Sequence, residues 1–192
     1  MIWLGYRLQL LSAEQCRDSL TGAEWGYAMG QSSKRSRQFC NGRALIRQLV
    51  QQQQPVNHAD ITVDLPADTA PSLTVCGERW QLSISHSAQA IAVAVSRTNR
   101  LGLDIEQRKP RNIAEFTREY AALAGATDEI TFYKHWTAAE AYSKYSGKPL
   151  LQVLRAAPPE QIPRQYLHLD GYMLCLLYQH PAAAITLYEE NE

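Results

Sequence analysis

Thr98-Asn-Arg-Leu-Gly-Leu-Asp-Ile-Glu106 decides the fold. Its polar start, Thr98 to Arg100, is a break between two stretches of chain, and Leu101 to Glu106 then alternates as a strand does. Upstream, a first strand is expected from Trp3 to Leu11. A short helix behind Ser12 follows, with Glu14 and Gln15 in its first turn. A longer helix capped by Ser32 or Ser33 runs to about Gln52, with Phe39, Ile46, Leu49 and Val50 on its apolar stripe. Strands are then expected at Ile61 to Leu65, Leu73 to Val75, Trp80 to His86 and Ile91 to Ser96. Downstream of the break the order repeats. Helices are expected at Ile113 to Ala124 and Ile130 to Tyr145, then strands at Tyr166 to Leu169, Met173 to Tyr178 and Ala183 to Tyr188. Helices followed by strands, twice over, predict an α+β protein of two similar lobes related by a pseudo-twofold, residues 1–98 and 99–192, each with helices packed on a small antiparallel sheet.

The 192 residues are 45% hydrophobic and 20% charged, which excludes disordered, collagen-like and coiled-coil chains. A chain of this length hides roughly 70% of its unfolded surface, so neither disulfides nor a structural metal is needed. Nineteen Lys and Arg balance nineteen Asp and Glu, which argues against a protein that grips a nucleic-acid backbone or an anionic membrane. The balance is uneven along the chain. No acid lies between Glu24 and Asp60, while Lys34, Arg35, Arg37, Arg43 and Arg47 all do, a local +5 that suits a small anionic ligand or an acidic partner. In the middle of the same helix Gly42 costs about 1 kcal/mol relative to Ala, and a close approach by another group would account for it. Cys16, Cys40, Cys76 and Cys175 form no Cys-x-x-Cys pair and read as free thiols in a reducing cytoplasm. The start has no signal-peptide pattern, and Gly171 to Tyr188, broken by Gln179, His180 and Pro181, reads as two strands rather than a membrane span.

Three short patterns carry chemistry. On a strand, Asp104 and Glu106 share one face about 7 Å apart while Leu103 and Ile105 take the other; such hard oxygens suit Mg²⁺, or else form a solvated face balanced by Arg108 and Lys109. In Trp136-Thr-Ala-Ala-Glu140-Ala-Tyr-Ser-Lys144, Glu140 and Lys144 are four apart and project together. They form either a surface ion pair, or a third carboxylate and an ammonium for a metal-bound pyrophosphate. In Ser85-His86-Ser87, hydroxyls and an imidazole at a strand end can hold phosphate oxygens. Adjacent strand residues face opposite ways and no Gly-x-Ser-x-Gly elbow is present, which argues against a serine hydrolase.

Taken in order, Ser85-His86-Ser87, Gly102-Leu-Asp104-Ile-Glu106 and Trp136 to Lys144 followed by Gly147-Lys148 resemble the three motifs of the Sfp-type 4′-phosphopantetheinyl transferases. Lys34-Arg35-Ser-Arg37-Gln-Phe39 and Gly42-Arg43-Ala-Leu-Ile-Arg47 are similar to that family's basic N-terminal helix. The resemblance spans about residues 30 to 150. It implies a monomer with coenzyme A in the cleft between two lobes and Mg²⁺, or Mn²⁺, held by Asp104, Glu106 and Glu140. It further implies phosphate contacts from His86 and Ser85, Arg35 and Arg43 at the 3′-phosphate or nucleotide end, and Lys144 on the leaving 3′,5′-ADP. Glu140 would draw the proton from a serine of an apo acyl or peptidyl carrier protein. Two positions depart from the family pattern: Ala139 replaces a lysine common before the catalytic glutamate, and Cys76-Gly-Glu-Arg79-Trp stands where Gly-Lys-Pro is usual, with Arg79 a possible substitute. Those departures motivate the alternative of a relative that binds coenzyme A or a carrier without transferring. A metal-dependent phosphohydrolase is the third reading.

Overall fold

A computed structural model describes residues 1–65 and 71–189, and the main chain only at Glu189. Four layers are stacked: one long helix, a six-stranded sheet, a three-stranded sheet and a second long helix. The first sheet runs β2 (Ile61–Val63), β3 (Leu73–Val75), β4 (Glu78–Ser87), β5 (Ala90–Ser96), β1 (Ile2–Arg7), β9 (Ile185–Glu189). The second runs β6 (Leu101–Gln107), β8 (Tyr172–Tyr178), β7 (Arg164–Leu169). The α+β class and the two-sheet arrangement are as the alternating patterns predict.

β5 shows how the sequence sets the layering. In Ala90-Ile-Ala-Val-Ala-Val-Ser96 every residue is buried, but the two faces differ in size. Ile91, Val93 and Val95 pack under Leu45, Ile46, Leu49 and Val50 of helix α2 (Ser33–Gln53). Ala90, Ala92 and Ala94 face Leu101, Leu103, Ile105, Leu174 and Leu176, so small side chains on one sheet receive large ones from the other. Gly42, mid-helix in α2, lies where an added Cβ would sit 3.3 Å from Ile91 Cδ1, the close approach that its cost as a helix residue suggests.

Helix α4 (Glu129–Ser146), opened by an Asp128–Thr131 capping box, covers the second sheet. It crosses β6 at Gly102, where a Cβ would stand 2.1 Å from Ala141 O and 2.6 Å from Tyr145 Cβ. Only glycine permits that crossing, and the crossing sets Glu140 and Lys144 over Asp104.

Three elements differ from the sequence reading. Helix α1 (Gly22–Met29) was not foreseen, although Thr21-Gly-Ala-Glu24 forms a complete capping box, with Thr21 Oγ1 accepting from Glu24 N and Glu24 Oε2 accepting from Thr21 N at 2.8 Å. The helix expected from Ile113 to Ala124 breaks into α3 (Ile113–Glu119) and a 3-10 turn at Ala121–Leu123. The final strand is not a neighbour of β8: β9 pairs parallel with β1, Leu4 opposite Leu187, so the chain returns to the first sheet at its edge. Helix α5 (Leu150–Ala156) packs on α4. Among the described residues no helix is long and apolar enough to cross a membrane.

Candidate metal centre and anion cleft

The alternation in β6 turns Asp104 and Glu106 toward α4, and α4 brings Glu140 to meet them. One oxygen of each lies within 4.8 Å of the others. Asp104 is 1% exposed, and its Oδ1 accepts from Ser85 Oγ at 2.7 Å and Lys144 Nζ at 2.9 Å. Lys144 Nζ also donates to Leu103 O at 2.9 Å. Oδ2 of Asp104 is buried and has no partner among the described residues. A buried carboxylate oxygen left unanswered costs free energy, and a cation between the three carboxylates would answer it. The donor set is all oxygen, which fits Mg²⁺ or another hard divalent ion.

β4 supplies the other wall. Ser83, Ser85 and Ser87 recur at period two and face the free edge of β6. Ser83 Oγ accepts from Leu103 N at 2.9 Å, Ser87 Oγ accepts from Gln107 N at 3.1 Å and donates to Glu106 Oε2 at 2.7 Å. Hydroxyls thus replace a backbone ladder between the two sheets and orient two of the three carboxylates. Ser85 donates to Asp104, whereas His86, which the resemblance implies as a phosphate contact beside it, faces the opposite side of β4. Strand alternation separates the two neighbours in sequence.

Electrostatics follow from crowding. Burial first, then the charge of Asp104, pushes Glu140 up to about 7, with Lys144 opposing and Glu106 adding to the rise. Burial also raises Glu106, against the Ser87 hydrogen bond. Desolvation, with Lys144 and Lys34 adding, holds His86 below the ordinary imidazole value.

On the far face of β4 a cavity of about 420 Å³ opens between α1, α2 and the first sheet. Arg35, Arg43, Phe39 and Tyr27 line it with His86, and among the described residues no acidic side chain does. The five cations of the basic run are distributed differently from a continuous exposed stripe. Lys34 and Arg35 are exposed, and Arg37 donates to Leu10 O at 2.6 Å. Arg43 and Arg47 are buried, 3% and 1% exposed, on either side of a buried Glu24. Arg43 Nε is 3.3 Å from Glu24 Oε1, and one Arg47 nitrogen is 3.0 Å from Glu24 Oε2. Arg43 also donates to Asp64 O and lies 4.7 Å over the Phe39 ring. Desolvation pulls its guanidinium down to about 10, with Glu24 opposing and Arg47 contributing. The Thr21-x-x-Glu24 signature could have located Glu24 at a helix start, but not its partners 19 and 23 residues on.

At the two positions of departure, Ala139 is fully buried in the core between α4 and β8, and Arg79 is exposed on β4, opposite Thr74 of β3, and is not one of the cleft-lining residues. A second, smaller cavity of about 160 Å³ beside Glu106 is lined by Arg111, Phe116, Phe132, Tyr133 and Trp136.

Residues 100–187, which hold the whole carboxylate cluster and Lys144, match the family model of the 4′-phosphopantetheinyl transferase superfamily. The chain is also similar to the 4′-phosphopantetheinyl transferase HetI of Nostoc sp. (strain PCC 7120 / SAG 25.82 / UTEX 2576), 29% identical over 156 residues that cover 73% of this chain and 63% of that relative. It thus spans less than two thirds of that relative's length. The motif order read from residues 85 to 148, the matched region and this likeness point the same way: over residues 100–187 the chain is similar to the 4′-phosphopantetheinyl transferase superfamily.

Proposed function

We propose that this protein transfers the 4′-phosphopantetheine group of coenzyme A to a serine of an apo acyl or peptidyl carrier protein and releases 3′,5′-ADP. The observation that carries the reading is the unpartnered, buried Asp104 Oδ2 inside a three-carboxylate cluster, one strand away from a cleft lined by cations. Asp104, Glu106 and Glu140 would hold Mg²⁺, with Mn²⁺ a substitute, and the ion would neutralise pyrophosphate charge. Ser85 and Ser87 keep two of those carboxylates oriented. Glu140, directly or through water, takes the proton from the carrier serine as its oxygen forms a bond to the β-phosphorus. The bond from that phosphorus to the bridging oxygen breaks, and Lys144 stabilises the charge on the departing 3′,5′-ADP.

The nucleotide end occupies the 420 Å³ cleft, where Arg35, Arg43 and His86 meet its phosphates. The aromatic cavity beside Glu106 suits the pantetheine arm. The two lobes, 1–98 and 99–192, would act as one monomeric enzyme in the cytoplasm, in keeping with four cysteines that form no disulfide. Ala139 favours a second reading, a relative that binds coenzyme A or a carrier without transferring it.

Incubating the protein with coenzyme A, Mg²⁺ and a panel of apo carriers, then weighing the carriers, separates the two. The proposal expects a phosphopantetheine mass gain on at least one carrier. Coenzyme A binding with no gain on any carrier would support the second reading.

A further inference from the structure

Two of the three carboxylates of the centre arrive there with one oxygen already engaged. Asp104 Oδ1 accepts from Ser85 Oγ at 2.7 Å and from Lys144 Nζ at 2.9 Å, which occupies both of its lone pairs, whereas Oδ2 is buried and accepts from none of the described residues. Glu106 Oε2 accepts from Ser87 Oγ at 2.7 Å, and among the described residues nothing donates to its other oxygen. The direction of the Ser87 proton is fixed. The same Oγ accepts from Gln107 N at 3.1 Å, which leaves its O–H to the carboxylate. Both hydroxyl bonds have the short length expected when the acceptor is ionised. Ser83, the third serine of the period, accepts from Leu103 N at 2.9 Å and donates to no carboxylate.

We infer that Ser87, with Ser85, selects the ion: each hydroxyl holds one oxygen of its carboxylate and so restricts Glu106 and Asp104 to a single donor oxygen apiece, which favours Mg²⁺ over Ca²⁺. Mg²⁺ takes about six ligands at about 2.1 Å and keeps several waters, so single oxygens serve it well. Ca²⁺ takes about six to eight at about 2.3 to 2.6 Å and often grips a carboxylate through both oxygens. A two-oxygen grip by Glu106 would have to displace Ser87, and one by Asp104 would have to displace both Ser85 and Lys144. Ser85 is buried and Ser87 is tied to Gln107 N, so neither hydroxyl is free to follow a carboxylate that turns. The two serines are positioning residues, acting through Asp104 and Glu106, and the inference rests on the metal reading of that cluster.

The test is the ion preference of the full chain after metal has been stripped with EDTA and the chelator removed. MgCl₂ and CaCl₂ are titrated separately in calorimetry and thermal unfolding, with potassium chloride holding the ionic strength constant. An ion that binds only the folded state raises Tm by mass action, so both measurements report affinity. Ser87→Ala should bind Mg²⁺ about 10-fold more weakly, the low end for losing a partner behind a metal ligand, and Ca²⁺ no more weakly. The preference for Mg²⁺ over Ca²⁺ then falls about 10-fold. Ser85→Ala should lower it by less, because Lys144 still holds Oδ1. Ser87→Thr keeps the hydroxyl and should keep the wild-type preference. Ser83→Ala should lower the Tm without ion and leave the preference unchanged.

A preference equal in wild type, Ser87→Ala and Ser85→Ala overturns the inference. So does a fall in Ser83→Ala as large as that in Ser87→Ala, which would make the serines a seam between two sheets and nothing more. Should Ser87→Ala fail to fold, Ser85→Ala decides, on the smaller fall. Failure of the metal reading looks different: the wild type then responds to neither ion. Carrier modification in Mg²⁺ with an unmoved preference in the variants leaves the transferase standing and removes only the ion selection.

Discussion

The molecule contains two buried charge clusters that are near mirror images. Around Asp104 three carboxylates share one lysine; around Glu24 two guanidiniums share one carboxylate. Each leaves orphaned polar atoms, Asp104 Oδ2 in the first and nitrogens of Arg43 and Arg47 in the second. A glycine sits close to each, Gly102 where α4 crosses β6 and Gly42 where α2 crosses β5. The difference is in what each can recruit. A surplus of oxygen draws a metal, whereas a surplus of guanidinium draws an anion, and a metal-bound diphosphate ester satisfies both at once. The zero net charge of the chain hides this division.

The comparison breaks most visibly if the acidic cluster is dispensable. Asp104→Ala and Glu140→Ala should each cut phosphopantetheine transfer to roughly one-thousandth or less, the scale of losing general-base assistance, with unchanged circular dichroism. Near wild-type mass gain on the carrier in both variants would remove the carboxylates from the chemistry.

Next in size is the pair of glycines. Gly102→Ala forces a methyl into the Ala141 carbonyl and should destabilise by about 3 kcal/mol in denaturant titration, the upper range for overpacking. Unchanged stability would mean that α4 can lift from β6 freely, and the carboxylates would then lack a fixed geometry.

A pH titration sharpens the acidic side. With metal removed, Glu140 has a folded-state pKa raised from 4.5 to about 7. Its contribution to stability is therefore fully present below about 4.5 and is lost as pH rises through about 7. Chemical denaturation in EDTA should show this decline, and Glu140→Gln should flatten it. A stability that climbs across the same window would contradict the direction of the shift.

The smallest effect is expected at Gly42. An added Cβ meets only the mobile end of Ile91, at 3.3 Å, and the gain in helix propensity offsets the crowding. Gly42→Ala should change stability by no more than about 1 kcal/mol, so a loss as large as that at Gly102 would show the two glycines to be equally constrained.

Legibility differed between the clusters for a physical reason. Asp104 with Glu106, and Glu140 with Lys144, are each set by one element's own period, two for the strand and 3.6 for the helix. What joins the pairs is Gly102, whose role emerges only when α4 lies on β6. The basic cluster offered no such period across its members, because Glu24 reaches Arg43 and Arg47 between two helices. Read linearly, the acid-free stretch after Glu24 looks like a continuous exposed field, whereas burial divides it into surface and interior cations. Strand identity was similarly readable at Ile185 to Tyr188, yet a period of two says nothing about which neighbour a strand will choose.

That choice of neighbour has a consequence for the order of assembly. β1 is made before β9, and between them in sequence lie all three strands of the second sheet. Until residues 185–189 leave the ribosome, the outer edge of β1 exposes unpaired amides and carbonyls while β6, β7 and β8 already have their partners. The first sheet is thus begun before the second and closed after it, and the strand that closes it works as a clasp, fastening β1 behind everything made in between.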